Sequence, residues 1–149
     1  MTLRRRAREL ALQLLYQWEA RGEGAEKAEE AFWAGAKAAA QTREFAHRLF
    51  TGTVAAAPQL DALVEKHATN WRLDRMSAVD RNILRLAAYE LKFGTAPPRV
   101  VLDEAVELAK KFSDDAAPAF VNGVLDAMVK DENRKSKNEK REEGGDVAE

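Results

Sequence analysis

Apolar residues recur along this chain at intervals of three and four, never in a sustained alternation, and that rhythm predicts helices from near the start to about residue 129. Ala7, Leu10, Ala11, Leu14, Leu15 and Trp18 form one stripe on a first helix, which Gly22-Glu23-Gly24 ends. A second, alanine-rich helix spans about Glu26 to Ala40 and turns Ala28, Ala31, Phe32 and Gly35 toward its neighbours. A third starts near Thr42 with Phe45, Ala46, Leu49, Phe50, Thr53 and Val54 inward. Pro58 marks the next break, and Leu60, Leu63, Val64 and His67 define a fourth helix. Ser77 and Asp80 have the spacing of a capping box, in which a hydroxyl and a carboxylate three residues apart satisfy free amides at a helix start. Behind them Ile83, Leu84, Leu86, Ala87, Ala88 and Leu91 cover a wide arc, the mark of a central, largely buried helix.

Gly94 and Pro97-Pro98 close that helix, and Val101, Leu102, Ala105, Leu108, Ala109 and Phe112 make the next, with Glu104 and Glu107 facing away. A last helix starts near Pro118 and buries Phe120, Val121, Val124, Leu125 and Met128. Asn122-Gly123 is a hairpin dipeptide, but no strand pattern flanks it, so Gly123 is expected inside the helix where a neighbouring backbone comes close. The expected fold is all-α, one domain of six to seven helices over residues 1–129. Residues 130–149, charged and almost without apolar side chains, are expected to form a disordered tail.

Composition narrows the chemistry. A chain of 149 residues supports one hydrophobic core without staples, and the absence of cysteine removes disulfides, thiolate metal sites and thiol nucleophiles and suits a cytoplasmic setting. The arginines near the start are followed by no apolar signal-peptide core, and no run is long and apolar enough to span a bilayer. His47 and His67 fall on separate helices outside any metal-ligand spacing, and neither a phosphate-binding glycine loop nor a nucleophile elbow is present, so no enzyme, metal or cofactor is expected.

The net charge of −1 argues against a generic nucleic-acid coat and for a local basic patch. That patch is Arg4-Arg5-Arg6-Ala7-Arg8, set where the helix dipole disfavours cations and held in place by the buried stripe behind it. Guanidinium forks match phosphate oxygens, although a solvated helix start has the same composition. Arg5, Arg8, Leu12 and Tyr16 follow at helical spacing, a strip suited to RNA or a partner protein, with Tyr16 as half-buried core the other reading.

Four blocks together resemble the NusB family of bacterial transcription antitermination factors: Arg4 to Glu9 with Leu15-Tyr16-Gln17-Trp18; Ile83 to Leu91; Asp103 to Lys110 before Phe112; and Phe120-Val121-Asn122-Gly123-Val124-Leu125-Asp126. The resemblance covers nearly everything before the tail and implies a domain of two packed helical halves. It implies a noncatalytic factor that pairs with NusE, a protein shared with the small ribosomal subunit. The pair would recognise single-stranded boxA RNA within a transcription elongation complex containing other Nus factors, in support of ribosomal RNA synthesis; some relatives form homodimers. Carried onto this chain, it implies Arg4, Arg5, Arg8, Phe112 and Phe120 for RNA, and Tyr16, Asp74 and Asp80 for NusE.

Both phenylalanines also stand at core-compatible positions. Pro118-Ala119 replaces a more polar pair common in the family, and Asp114 and Asp115 would repel a nucleic-acid backbone, so RNA affinity is expected to depend on the partner. A similar domain precedes the catalytic part of some RNA cytosine methyltransferases, but a cysteine-free chain has no nucleophile for that reaction. A helix-turn-helix DNA binder would need a basic recognition helix, and Ile83 to Leu91 offers only Arg85. A purely structural helical module is the remaining alternative.

Overall fold

The structure, a computed structural model, describes residues 2–147. Among these, seven helices follow one another: α1 (Leu3–Arg21), α2 (Ala25–Gly35), α3 (Ala40–Ala55), α4 (Ala57–His67), α5 (Ala78–Phe93), α6 (Pro98–Phe112) and α7 (Ala117–Val147), with a 3-10 turn at Leu73–Arg75 before α5. Helices α2 and α3 pack on α1 to make one half, and α4, α6 and α7 pack around α5 to make the other. Helix α1 also lies directly on α5, so the halves share one core, in which Leu10, Leu14, Leu15, Phe50, Leu60, Ile83, Leu84 and Leu125 are fully buried. Each such side chain contributes about 1.5–3 kcal/mol of transfer free energy.

Local chemistry sets the boundaries. The Thr2 hydroxyl accepts from the Arg5 amide at 3.1 Å to cap α1, whose other end closes on Gly22 at φ +66°, a left-handed conformation suited to glycine. Ser77 caps α5 by accepting from the Asp80 amide. Asp80 accepts from the Ser113 hydroxyl at 2.6 Å, tying the start of α5 to the end of α6. Pro58 sits in the first turn of α4, where a missing amide costs nothing, so the break falls just before it. Helix α2 ends at Gly35, short of the expected Ala40, and of its expected inward residues only Ala28 and Phe32 are buried.

Two glycines differ in meaning. A Cβ on Gly52 would overlap the Tyr89 ring, so glycine is what lets α3 approach α5 at that level. Gly123 lies inside α7 as expected, but a Cβ there would meet nothing within 4 Å, and the expected close backbone is absent. Helix α7 also does not end at the expected tail. It continues to Val147, and i,i+4 ion pairs such as Lys130–Asp126 (2.9 Å) and Lys135–Asp131 (3.7 Å) support it around residue 130. Asp131 also anchors that stretch to α4 through Lys66 at 3.4 Å and His67 at 3.1 Å.

A half-buried polar cluster joins the halves. Glu19 of α1 receives hydrogen bonds from Arg81, Arg85 and Asn82 of α5, and Arg85 forks onto Asp61 of α4 at 2.6 and 2.9 Å. Burial alone would raise the Glu19 carboxyl, and Arg81 and Arg85 more than reverse it, holding Glu19 below its ordinary value of 4.5.

Candidate nucleic-acid interface

The four arginines that open α1 point in different directions, and their partners sort them. Arg8 is 4 % exposed and forks onto Glu90 of α5 through two bonds of 2.9 Å. It is a structural cation and cannot meet a phosphate, which corrects the expectation that it contacts RNA. The three-four spacing that aligned it with Arg5 also placed it over α5, where a buried carboxylate requires it. Arg5 stays at the surface but forks onto Glu104 of α6 at 3.0 and 3.1 Å, and that pairing holds its guanidinium even more firmly protonated. Glu104 therefore faces α1 rather than open solvent. Arg6 pairs with Glu9 at 3.2 Å, and Glu9 also takes Lys111 of α6 at 2.9 Å. Arg4 has no carboxylate partner among the described residues; its guanidinium lies 5.1 Å from the centre of the Phe45 ring of α3.

The expected strip from Arg5 to Tyr16 is thus a seam along which α6 runs beside α1. Leu12 is buried in it, while Tyr16 emerges 47 % exposed, a surface residue rather than core. Tyr16, Gln13 and Gln17 line a hollow of about 320 Å³ with Leu12, Val79 and half-buried Phe112. Lys111 lies 5.5 Å from the centre of the Phe112 ring. Apolar walls with two amides and a phenol suit a protein side chain as readily as a base.

Beyond the end of α6, the Asp114 carboxylate accepts from the amides of Ala116 and Ala117 at 3.1 and 3.0 Å, so the acid expected to repel a backbone is also the cap of α7. Phe120, one turn into α7, meets Trp71 edge-on with ring centres 5.7 Å apart. Trp71 is 54 % exposed and follows Asn70, the one described non-glycine residue at positive φ, +71°. Hollows of about 350 and 470 Å³ flank this aromatic pair, one walled by Arg75, Asp80 and Asp114, the other by Lys66, Thr69 and Gly123. Asp80 and its neighbour Val79 thus border the aromatic hollow and the Tyr16 hollow respectively, so the two adjoin across the first turn of α5. Asp74 stands apart on the 3-10 turn, exposed and 3.4 Å from Arg72.

Trp71 and Arg75 were not singled out from sequence. Trp71 lies between periodic segments, where an isolated aromatic carries no helical phase, and only the fold sets it against Phe120. Along α6, then, the surface runs from Arg4 and Arg5, past Lys110 and Lys111, to Phe112 and the Trp71–Phe120 pair.

These features define a class: an all-helical binding module that presents cations and exposed aromatics on one continuous face. A family model for the NusB family matches residues 5–130. The transcription antitermination protein NusB of Solibacter usitatus is 46% identical over 130 residues, spanning 86% of this chain and 89% of that protein. Its counterpart from Anaeromyxobacter dehalogenans (strain 2CP-1 / ATCC BAA-258) is 46% identical over 131 residues, 87% and 92% of the two chains. Among solved structures, T. maritima NusB superposes with a TM-score of 0.78 at 37% identity, over 85% of this chain and 90% of that one. A crystal structure of antitermination factors NusB and NusE in complex with dsRNA gives 0.76 at 35% identity, over 87% and 98%. The chain belongs to the NusB family of transcription antitermination factors.

Proposed function

We propose that this protein is a noncatalytic, cytoplasmic RNA-binding factor that holds boxA RNA jointly with NusE and supports transcription of ribosomal RNA. The observation that carries the reading is the face along α6, where surface cations at one end lead to half-exposed aromatics at the other. Arg4, Arg5, Lys110 and Lys111 supply phosphate contacts that position a strand without reading it. Phe120, joined by Trp71, supplies a platform on which an unpaired base stacks, and Arg75 and Asp114 offer polar groups at its edge. Tyr16, Asp80 and Asp74 face NusE, with Asp80 itself in the wall of the aromatic hollow, so that the partner and the RNA meet there. Since Arg5 is shared with Glu104 and Lys111 with Glu9, the basic edge is weak alone, and a partner that touches the same RNA supplies the remaining affinity and selectivity.

The test is binding of labelled single-stranded boxA-type RNA, a scrambled strand and a duplex control across a salt series, with and without purified NusE. Selective binding of the boxA strand that tightens with NusE is expected, with Arg4→Ala lowering the steepness of the salt dependence by about 0.7 in log–log slope, the share of one single-strand phosphate contact. Equal binding of all three RNAs with NusE present would overturn the reading.

A further inference from the structure

A further concavity, of about 160 Å³, opens between α1, α3 and the end of α5, and Arg4 is the one residue it shares with the face described above. Its walls come from three helices: Arg4 from α1, Phe45 and Arg48 from α3, and Tyr89 with Glu90 from the end of α5, closed by Thr95 of the following loop. Arg48 lies 5.8 Å from the centre of the same Phe45 ring that Arg4 approaches at 5.1 Å. Neither arginine has a carboxylate within ion-pair distance among the described residues, whereas Arg5, Arg6 and Arg8 each have one within 3.2 Å. The one acid in the wall, Glu90, has both oxygens engaged by Arg8, so the hollow is left with two uncompensated positive charges. Both arginines line this one hollow, and an oxyanion held there is attracted by each of them. The hollow has room for a phosphate group, and Tyr89 and Thr95 are among its lining residues.

We propose that Arg4, Arg48 and Phe45 form a phosphate-group site, and that Arg48 of α3 carries the RNA path around the start of α1, off the α6 face. The RNA source of that phosphate rests on the function proposed above; the site itself does not.

The experiment uses the full chain and Arg48→Gln, with Arg48→Lys and the distant surface variant Arg21→Gln as controls. Arg48 is exposed and its side chain makes no hydrogen bond, so Arg48→Gln is expected to melt at the wild-type temperature. One arm measures RNA binding with NusE against salt. Arg48→Gln is expected to lose several-fold in affinity equally for boxA and scrambled strands and to lower the slope by about 0.7, while Arg48→Lys and Arg21→Gln keep the wild-type slope. The other arm follows arginine side-chain NMR signals during titration with inorganic phosphate alone, expecting Arg4 and Arg48 to shift together and Arg4 to stop responding in Arg48→Gln. An effect in the RNA arm assigns the phosphate to the nucleic acid, and one confined to the second arm assigns it to a small phosphate ion. An unchanged slope together with unresponsive arginines overturns the site and leaves the α6-face reading standing. If wild type binds no RNA but its arginines respond, the function proposed above fails and the site survives.

Discussion

Arg4 and Arg8 stand one helical turn apart, and their surroundings give them opposite consequences on mutation. Arg8→Ala leaves Glu90 charged, buried and alone, a change expected to cost about 3–5 kcal/mol, whereas Arg4→Ala is expected to leave stability within about 0.5 kcal/mol and act on RNA binding. Urea unfolding of both variants checks this; replacing Arg8 and Glu90 together by Met and Leu should restore most of the loss. Glu19 gives a pH signature. Its carboxyl titrates lower in the folded than in the unfolded chain, so its stabilisation is complete above the ordinary 4.5 and is lost as pH falls through the folded value. Glu19→Gln is therefore expected to be less stable at neutral pH and to show a shallower loss below 4.5, read from urea midpoints at successive pH values. Sequence alone located the arginines but could not sort them. Burial of Arg8 depends on Glu90, 82 residues away, and capture of Arg5 on Glu104, 99 away, and no local pattern registers either.

At the scale of elements, periodicity was an adequate guide wherever a helix has one wet side. The inner stripe of α1 is buried apart from half-covered Trp18, and that of α3 apart from half-covered Phe45 and Val54. The pattern misjudged α2, where alanine is too small to mark a face. Spacing also could not show how closely helices approach. Gly52 gave no signal in the sequence, yet it faces the Tyr89 ring. Gly52→Ala is expected to cost about 1–3 kcal/mol by overpacking, and in a Tyr89→Ala background to gain up to about 1 kcal/mol from helix propensity. A double-mutant cycle by urea unfolding measures that change of sign.

For the whole molecule, the division into two helical halves follows from the stripes, because α5 alone is apolar over an arc wide enough to need neighbours on several sides. The binding face was only half visible beforehand. Its cations and Phe112 and Phe120 stand in recognisable blocks, but the Trp71–Phe120 pair and the Arg4–Phe45–Arg48 hollow exist only once distant segments meet. The placement of α1 bears on how the protein is made. This helix is translated well before its partners: Glu90, Glu104 and Lys111, which fix its charged face, follow about 80 to 100 residues later. At about 5–20 residues per second, that interval lasts roughly 4–20 s. Throughout it Arg5 and Arg8 lack the carboxylate partners that they have in the fold. The late arrival of those partners thus sets the moment at which the arginines of α1 are sorted into structural and surface cations.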